Sequence, residues 1–162
     1  MAIINVSAGS EAVLVLGQDA TNANIVTSPT AGLVVPRMSD ITINNSTGVF
    51  RFKTLDNTAE SAVTTPATNQ LTLNVIVDSD AFFGNSSLTD TVAVSGLFGA
   101  SKNKTRVFFN VGFEGNDATS KYLTGSGFIS GLAPTVNMDS PVWVTPVTIE
   151  VDGDFTQATV GV

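Results

Sequence analysis

Leu71, Leu73, Val75 and Val77 occupy alternate positions in Leu71-Thr72-Leu73-Asn74-Val75-Ile76-Val77. A segment that alternates in this way sets one row of side chains on each face of an extended strand. The same period runs from Thr105 to Phe113, where Val107, Phe109, Val111 and Phe113 share a face. It recurs from Val147 to Asp152, with Val147, Ile149 and Val151 opposed to Thr148, Glu150 and Asp152. Such rows suit antiparallel strands that have one face on a core and the other wet or paired. β-Branched and aromatic residues dominate elsewhere, while Glu, Lys, Arg, Gln, Met and Leu, the good helix formers beside Ala, are scarce.

Turn formers punctuate these runs. Asn44-Asn45-Ser46-Thr47-Gly48 separates Ile41-Thr42-Ile43 from Val49-Phe50-Arg51-Phe52 and predicts a hairpin closed by a five-residue loop. Gly84-Asn85-Ser86-Ser87, Gly99-Ala100-Ser101-Lys102-Asn103 and Gly115-Asn116-Asp117 are further breaks. Pro134 and Pro141 frame a loop before the last long strand, and Pro146 predicts a bulge, a bend or an edge position within it. Two short stretches, Asp56 to Ala62 and Ser79 to Phe83, are the helix candidates, each too short to stand without packing. Asp56 to Asn69 reads as one long polar excursion holding Pro66. The fold class is therefore mainly β. About eight to ten short strands would form an antiparallel β-sandwich or partly open barrel. At most one or two short helices and one long loop complete a single domain over residues 1–162.

Composition then excludes chemistry. The chain has no His and no Cys, so it lacks a disulfide framework, a Cys/His zinc site, a Cys nucleophile and a Ser-His-Asp triad. A net charge of −7 argues against binding nucleic acid by neutralising phosphates. Only 13% of residues are charged, against about 25% in ordinary soluble domains. A surface so poor in charge is either rich in hydroxyls and amides or covered by other subunits, and an obligate oligomer is the favoured reading. Ala12-Val13-Leu14-Val15-Leu16 is far short of a membrane span and follows no basic residue, so synthesis and assembly in the cytoplasm are expected.

The remaining candidates are weighed one by one. Asp78-Ser79-Asp80 and Asp152-Gly153-Asp154 could ligate Ca²⁺, but neither continues into an EF-hand loop, and paired acids around a turn are ordinary turn chemistry. Gly125-Ser126-Gly127 lacks the Lys-Ser/Thr continuation of a phosphate loop and reads as strand whose glycines admit a close neighbour. Ser130 has no His to activate it. Phe50/Phe52, Phe82/Phe83, Phe108/Phe109 and the single Trp143 could line a sugar platform, though Phe is the usual core aromatic and Trp143 suits a core or subunit-interface anchor. Arg51/Lys53 and Lys102/Lys104/Arg106 could guard strand edges or pair with acids of a neighbouring subunit. No cofactor, metal or catalytic residue is assigned.

Tyr122-Leu123-Thr124-Gly125-Ser126-Gly127-Phe128-Ile129-Ser130-Gly131-Leu132, then Asp139-Ser140-Pro141-Val142, then Val147 to Thr156, resembles the closing segment of phage tail tube proteins, the major tail proteins. The resemblance implies a small antiparallel β-sandwich whose copies form stacked hexameric rings around a DNA channel. It implies a virion tail location, with tape measure, terminator, baseplate or sheath proteins as partners and DNA passing without specific binding. It makes Asp56 to Asn69 the inter-ring loop, and Arg51, Lys53, Asp56, Glu60 and Trp143 the candidate inter-ring or inter-subunit contacts. Two other classes share the composition: a capsid-decorating or fibre protein, and a carbohydrate- or calcium-binding β-sandwich module. The low aromatic fraction of 7% weighs against the last.

Overall fold

The computed structural model describes residues 12–21, 23, 31–113, 120–139 and 141–159. Among them the chain forms β1 (Val13–Gly17), β2 (Leu33–Val34), β3 (Met38–Phe52), β4 (Ser61–Ile76), α1 (Ser79–Phe83), α2 (Thr91–Lys102), β5 (Arg106–Gly112), β6 (Lys121–Leu132), β7 (Val144–Val151) and β8 (Thr156–Thr159). The strands make one antiparallel sheet in the order β2-β1-β5-β6-β7-β4-β3. The sheet is not closed, so it is an open barrel-like layer with β2 and β3 at its ends. Strand β8 pairs with β6 at Lys121 to Thr124. Because β5 already holds the other edge of β6 there, β8 lies on the edge that β7 occupies further along. Strands β7 and β8 thus act as one strand interrupted at Asp152-Gly153-Asp154-Phe155.

The three alternating segments bury the rows expected of them. Leu71, Leu73 and Val75, then Val107, Phe109 and Val111, then Val147 and Ile149 form one cluster with Leu14, Leu16 and Ile129. Glycine in β6 makes room for it. Gly125 lies directly opposite Phe109, and a Cβ there would sit 2.6 Å from the ring's Cζ. The Phe109 ring meets Phe155 edge-on at 5.9 Å. Gly125-Ser126-Gly127 is therefore strand with close neighbours, as read from the sequence. Arg106 ties the β7–β8 interruption down, with Nη2 2.9 Å from Asp152 Oδ2 and 2.9 Å from Ser126 Oγ.

The sequence does not predict helix α2, because Gly96, Gly99 and five β-branched or hydroxyl residues (Thr91, Val92, Val94, Ser95 and Ser101) weaken its propensity. Tertiary packing overrides that. Asp90 caps it, accepting from the backbone N–H groups of Val92 and Ala93 at 2.8 and 3.2 Å. Val92, Ala93, Leu97 and Ala100 then recur at helical spacing and are buried against the sheet. Gly96 interrupts the helix at φ 67°, and Gly84, which ends α1, has φ 94°. The two glycines meet backbone to backbone, so a Cβ on Gly84 would clash with the Val94 carbonyl and one on Gly96 with the Phe82 carbonyl.

Several boundaries differ from the sequence reading. Asn44 to Gly48 is not a turn: β3 runs through it, with Asn44 opposite Gln70 and Asn45 opposite Asn69. The reversal comes at residues 53–60, closed by Asn57 N–H to the Thr54 carbonyl at 3.3 Å and Ala59 N–H to Asn57 Oδ1 at 3.1 Å. Ser61 to Asn69, the larger part of the expected excursion, is strand, and Asp56 to Ala62 is not helix. Polar residues persist in strand here because this part of the hairpin leaves the core and pairs only with itself. Gly99 to Lys102 belongs to α2 rather than to a break. The strands β3, β4 and β6 are long, at 15, 16 and 12 residues. Ser79 to Phe83 is the helix expected. Pro146 stays in β7 opposite Asn74, beyond Val147, the last residue that β6 pairs, which is an edge position on that side. Gly115-Asn116-Asp117 lies outside the described residues.

Asp90 is buried, and its Oδ2 also accepts from Gln18 N–H at 2.8 Å. Asp90→Ala removes the cap and strands that donor. Urea unfolding is expected to show a loss of roughly 3 kcal/mol, with Asp90→Asn losing less.

Candidate functional site

The β3–β4 hairpin outgrows the sheet. Strand β4 pairs with β7 only from Gln70 to Ile76, whereas it pairs with β3 from Ser61 onward. Residues 45–52 and 61–69 therefore form a two-stranded arm, roughly 25 Å long at about 3.3 Å per residue, ending in the 53–60 loop. Asn69 anchors its root: Nδ2 donates to the Gly153 carbonyl at 2.8 Å and to Asp154 Oδ1 at 3.1 Å. Gly48 sits where Thr65 and Pro66 bulge from the opposite strand, and the Thr65 hydroxyl occupies the space a Cβ on Gly48 would need.

Residues directly opposite in an antiparallel pair share a face. Phe50 faces Val63, and Phe52 two residues on joins them, the two rings stacking with centroids 6.2 Å apart. Phe50 is 60% exposed and Val63 53%. The other face carries Val49, Arg51, Ala62 and Thr64. At the tip, Lys53, Asp56 and Glu60 are exposed and the Leu55 side chain is wholly so. Four of the five contact candidates read from the sequence, Arg51, Lys53, Asp56 and Glu60, thus share one arm.

Trp143 does not join them. Its carbonyl accepts from Val77 N–H at 2.8 Å, beside the Ile76–Val144 pair. That is the far end of β4, about 50 Å of strand from Ser61. At this same end β4 leads into α1. Here the structure exposes a surface that the sequence reading missed: Phe83 at 66%, Phe98 at 47% and Val94 at 40%. Phe82, Phe83 and Phe98 are in mutual ring contact, with centroids 5.0 to 6.3 Å apart. The available signal was the Phe82-Phe83 pair on a short helix. Adjacent helical residues point in different directions, so one packs inward and the other outward.

The acid pairs are used locally. Asp78 caps α1 by accepting from Asp80 and Ala81 N–H groups, and Asp80 accepts from Asn85 Nδ2 at 3.3 Å. Asp152 pairs with Arg106, and Asp154 with Asn69. Among the described residues no three carboxylates cluster around a point that could hold a metal ion, and no helix is long and apolar enough to cross a membrane. On the sheet face away from the core, Asn74 Nδ2 lies 2.8 Å from Asp40 Oδ2 and Gln70 Nε2 2.7 Å from Glu150 Oε1, with the half-exposed Phe128 opposite Glu150.

The fold is that of tail tube proteins. The tail of an empty gene transfer agent particle, with C6 symmetry, matches at a TM-score of 0.67 and 7% identity over 95% of this chain and 100% of that one. The SPP1 tail tube matches at 0.67 and 8% identity, over 95% and 80% of the two chains. The tube-terminating cap of the anti-feeding prophage matches at 0.52 and 14% identity, over 99% and 95%. No family model and no curated protein matches the chain.

The Asp56 carboxyl is held below its ordinary value, first by the Thr54 hydroxyl and then by its own backbone N–H. The folded value is the lower one, so this contact favours the folded loop at pH values above the unfolded carboxyl's titration. The effect is lost as pH falls through the folded value. Thr54→Val should raise the Asp56 pKa measured by NMR titration. An unchanged value would show that the hydroxyl is not the cause.

Proposed function

We propose that this chain is the repeating subunit of a tail tube, in which copies close into hexameric rings that stack around a channel for DNA delivery. The observation that carries this reading is the match of nearly the whole chain to the C6-symmetric gene transfer agent tail. The chain's own chemistry supports it. An arm with exposed aromatic residues is a liability in a monomer and a contact in a polymer. A sheet face carrying Asp40 and Glu150, in a chain of net charge −7, suits a conduit wall along which phosphates slide without sticking.

In this reading the protein is a structural component of the virion tail, assembled in the host cytoplasm, and catalyses no reaction. Its partners are copies of itself and the proteins that set, end and anchor a tube: tape measure, terminator, and baseplate or sheath. Arg51, Lys53, Asp56 and Glu60 on the arm, and Trp143 at the opposite end of β4, are the proposed inter-subunit contacts. A second reading, a tube-terminating subunit, draws on the anti-feeding prophage cap.

Negative-stain electron microscopy of the purified protein, with light scattering on the same sample, tests both. Hollow tubes with six-fold end views are the expected outcome. Single rings that never stack would favour the terminating role. A monomer that persists at high concentration, and in the presence of tail partners, would overturn the tube.

A further inference from the structure

In β4 the core-facing row Leu71, Leu73 and Val75 extends by its own period to Asn69, which is 2% exposed. A buried position at the end of such a row takes an apolar residue or a fully bonded polar one. Asn69 is neither. Its Nδ2 donates to the Gly153 carbonyl at 2.8 Å and to Asp154 Oδ1 at 3.1 Å, yet its Oδ1 is buried with no partner. Among the described residues it is the one buried side-chain nitrogen or oxygen left in that state.

A buried acceptor without a donor carries its desolvation cost uncompensated. The two bonds that Nδ2 makes do not require an amide for the sake of their acceptors. Gly153 and Asp154 are exposed, so water would serve both if residue 69 were apolar. Leucine branches at the same side-chain atom as asparagine and would continue the row Leu71–Leu73–Val75 with no unpaired group. Stability of the core alone therefore does not call for asparagine here.

The amide does provide a link. Strand β4 is paired with β7 only as far as Gln70, and Asn69 joins the next position to the β7–β8 interruption, 84 and 85 residues further along the chain. Gln70 grips the same place from the opposite face, through an exposed bond to Glu150 Oε1. Beyond Asn69 the arm has only β3 beside it. Because Asn69 is buried, water competes poorly for its two donated protons, and the link holds where a solvated one would exchange.

We infer that Asn69 is a positioning residue, which holds the root of the arm closed against Gly153 and Asp154 at the expense of overall stability. Replacing it moves two quantities in opposite directions. The protein melts higher because the unpaired acceptor is gone, and the root opens more often because the link is gone. A residue with a purely packing role would move both the same way.

Asn69→Leu and Asn69→Val are compared with the wild type by circular dichroism melting and by hydrogen exchange followed by mass spectrometry. Val is the smaller of the two and keeps the test open if Leu is too large to fold at this site. Tm is expected to rise by roughly 2–4 °C. Exchange in segments 45–47 and 67–69 is expected to become roughly tenfold faster, while segment 71–75 does not exchange faster. Asn69→Asp keeps buried acceptors and loses both donors, so it should open the root without the gain in Tm. Apolar variants that both melt below the wild type, or that melt above it with root exchange unchanged, would overturn the proposal. So would an Asn69→Asp protein whose root exchanges as slowly as the wild type's. Every readout is taken on the unassembled chain, so the result does not depend on whether copies form tubes.

Discussion

Strand β4 is the element on which the rest of the structure depends. From Gln70 to Ile76 it is paired on both sides, and Leu71, Leu73 and Val75 lock its register into the core. A slip of one residue would turn that row out to solvent, so the register is strongly specified. From Ser61 to Asn69 the same strand has one partner and no core. Two-stranded ribbons are marginal on their own in water. The arm is continuous with a rigid strand at its root and dependent on other contacts toward its tip.

The point of transition is chemically marked. Asn69 is buried at the place where β4 leaves β7, and its amide nitrogen bonds the turn between β7 and β8. Its Oδ1 is buried without a hydrogen-bond partner. Arg106 closes the other side of the same interruption through Asp152 and Ser126. An ion pair this exposed contributes little stability on its own. Its geometry nonetheless holds β8 in line with β7, so that the edge of β6 stays covered.

The helices extend the same logic. Neither has the propensity to form alone, and each is fixed by a buried or capping carboxylate and by the contact of Gly84 with Gly96. That contact brings α1 against α2 so closely that Phe82 turns inward while Phe83 and Phe98 are left outside. The core at the centre of β4 thus has exposed aromatic residues beyond it at each end, Phe50 on the arm and Phe83 and Phe98 on the helices.

The alternation at Leu71–Val77, Val107–Phe113 and Val147–Val151 was legible because period two is a local property, and burial needs nothing more than a face. The glycine role at Gly125 and the short helix Ser79–Phe83 were legible for similar reasons. The hairpin turn was not. Asn44 to Gly48 carries every local turn signal, yet pairing across to Ala67–Gln70 holds it extended. Helix α2 was hidden by its own poor propensity, which packing against β1, β5 and β6 overrides. Of the contact candidates, the charged four fell together because they are near in sequence, whereas Phe83 and Phe98 become a surface only once Gly84 meets Gly96. The sequence by itself determined a mainly β fold, a chain without His or Cys, and a low charge of 13% of residues. Only the tertiary structure decided where the sheet stops and the arm begins, because that depends on which neighbours a strand finds, and those are far away along the chain.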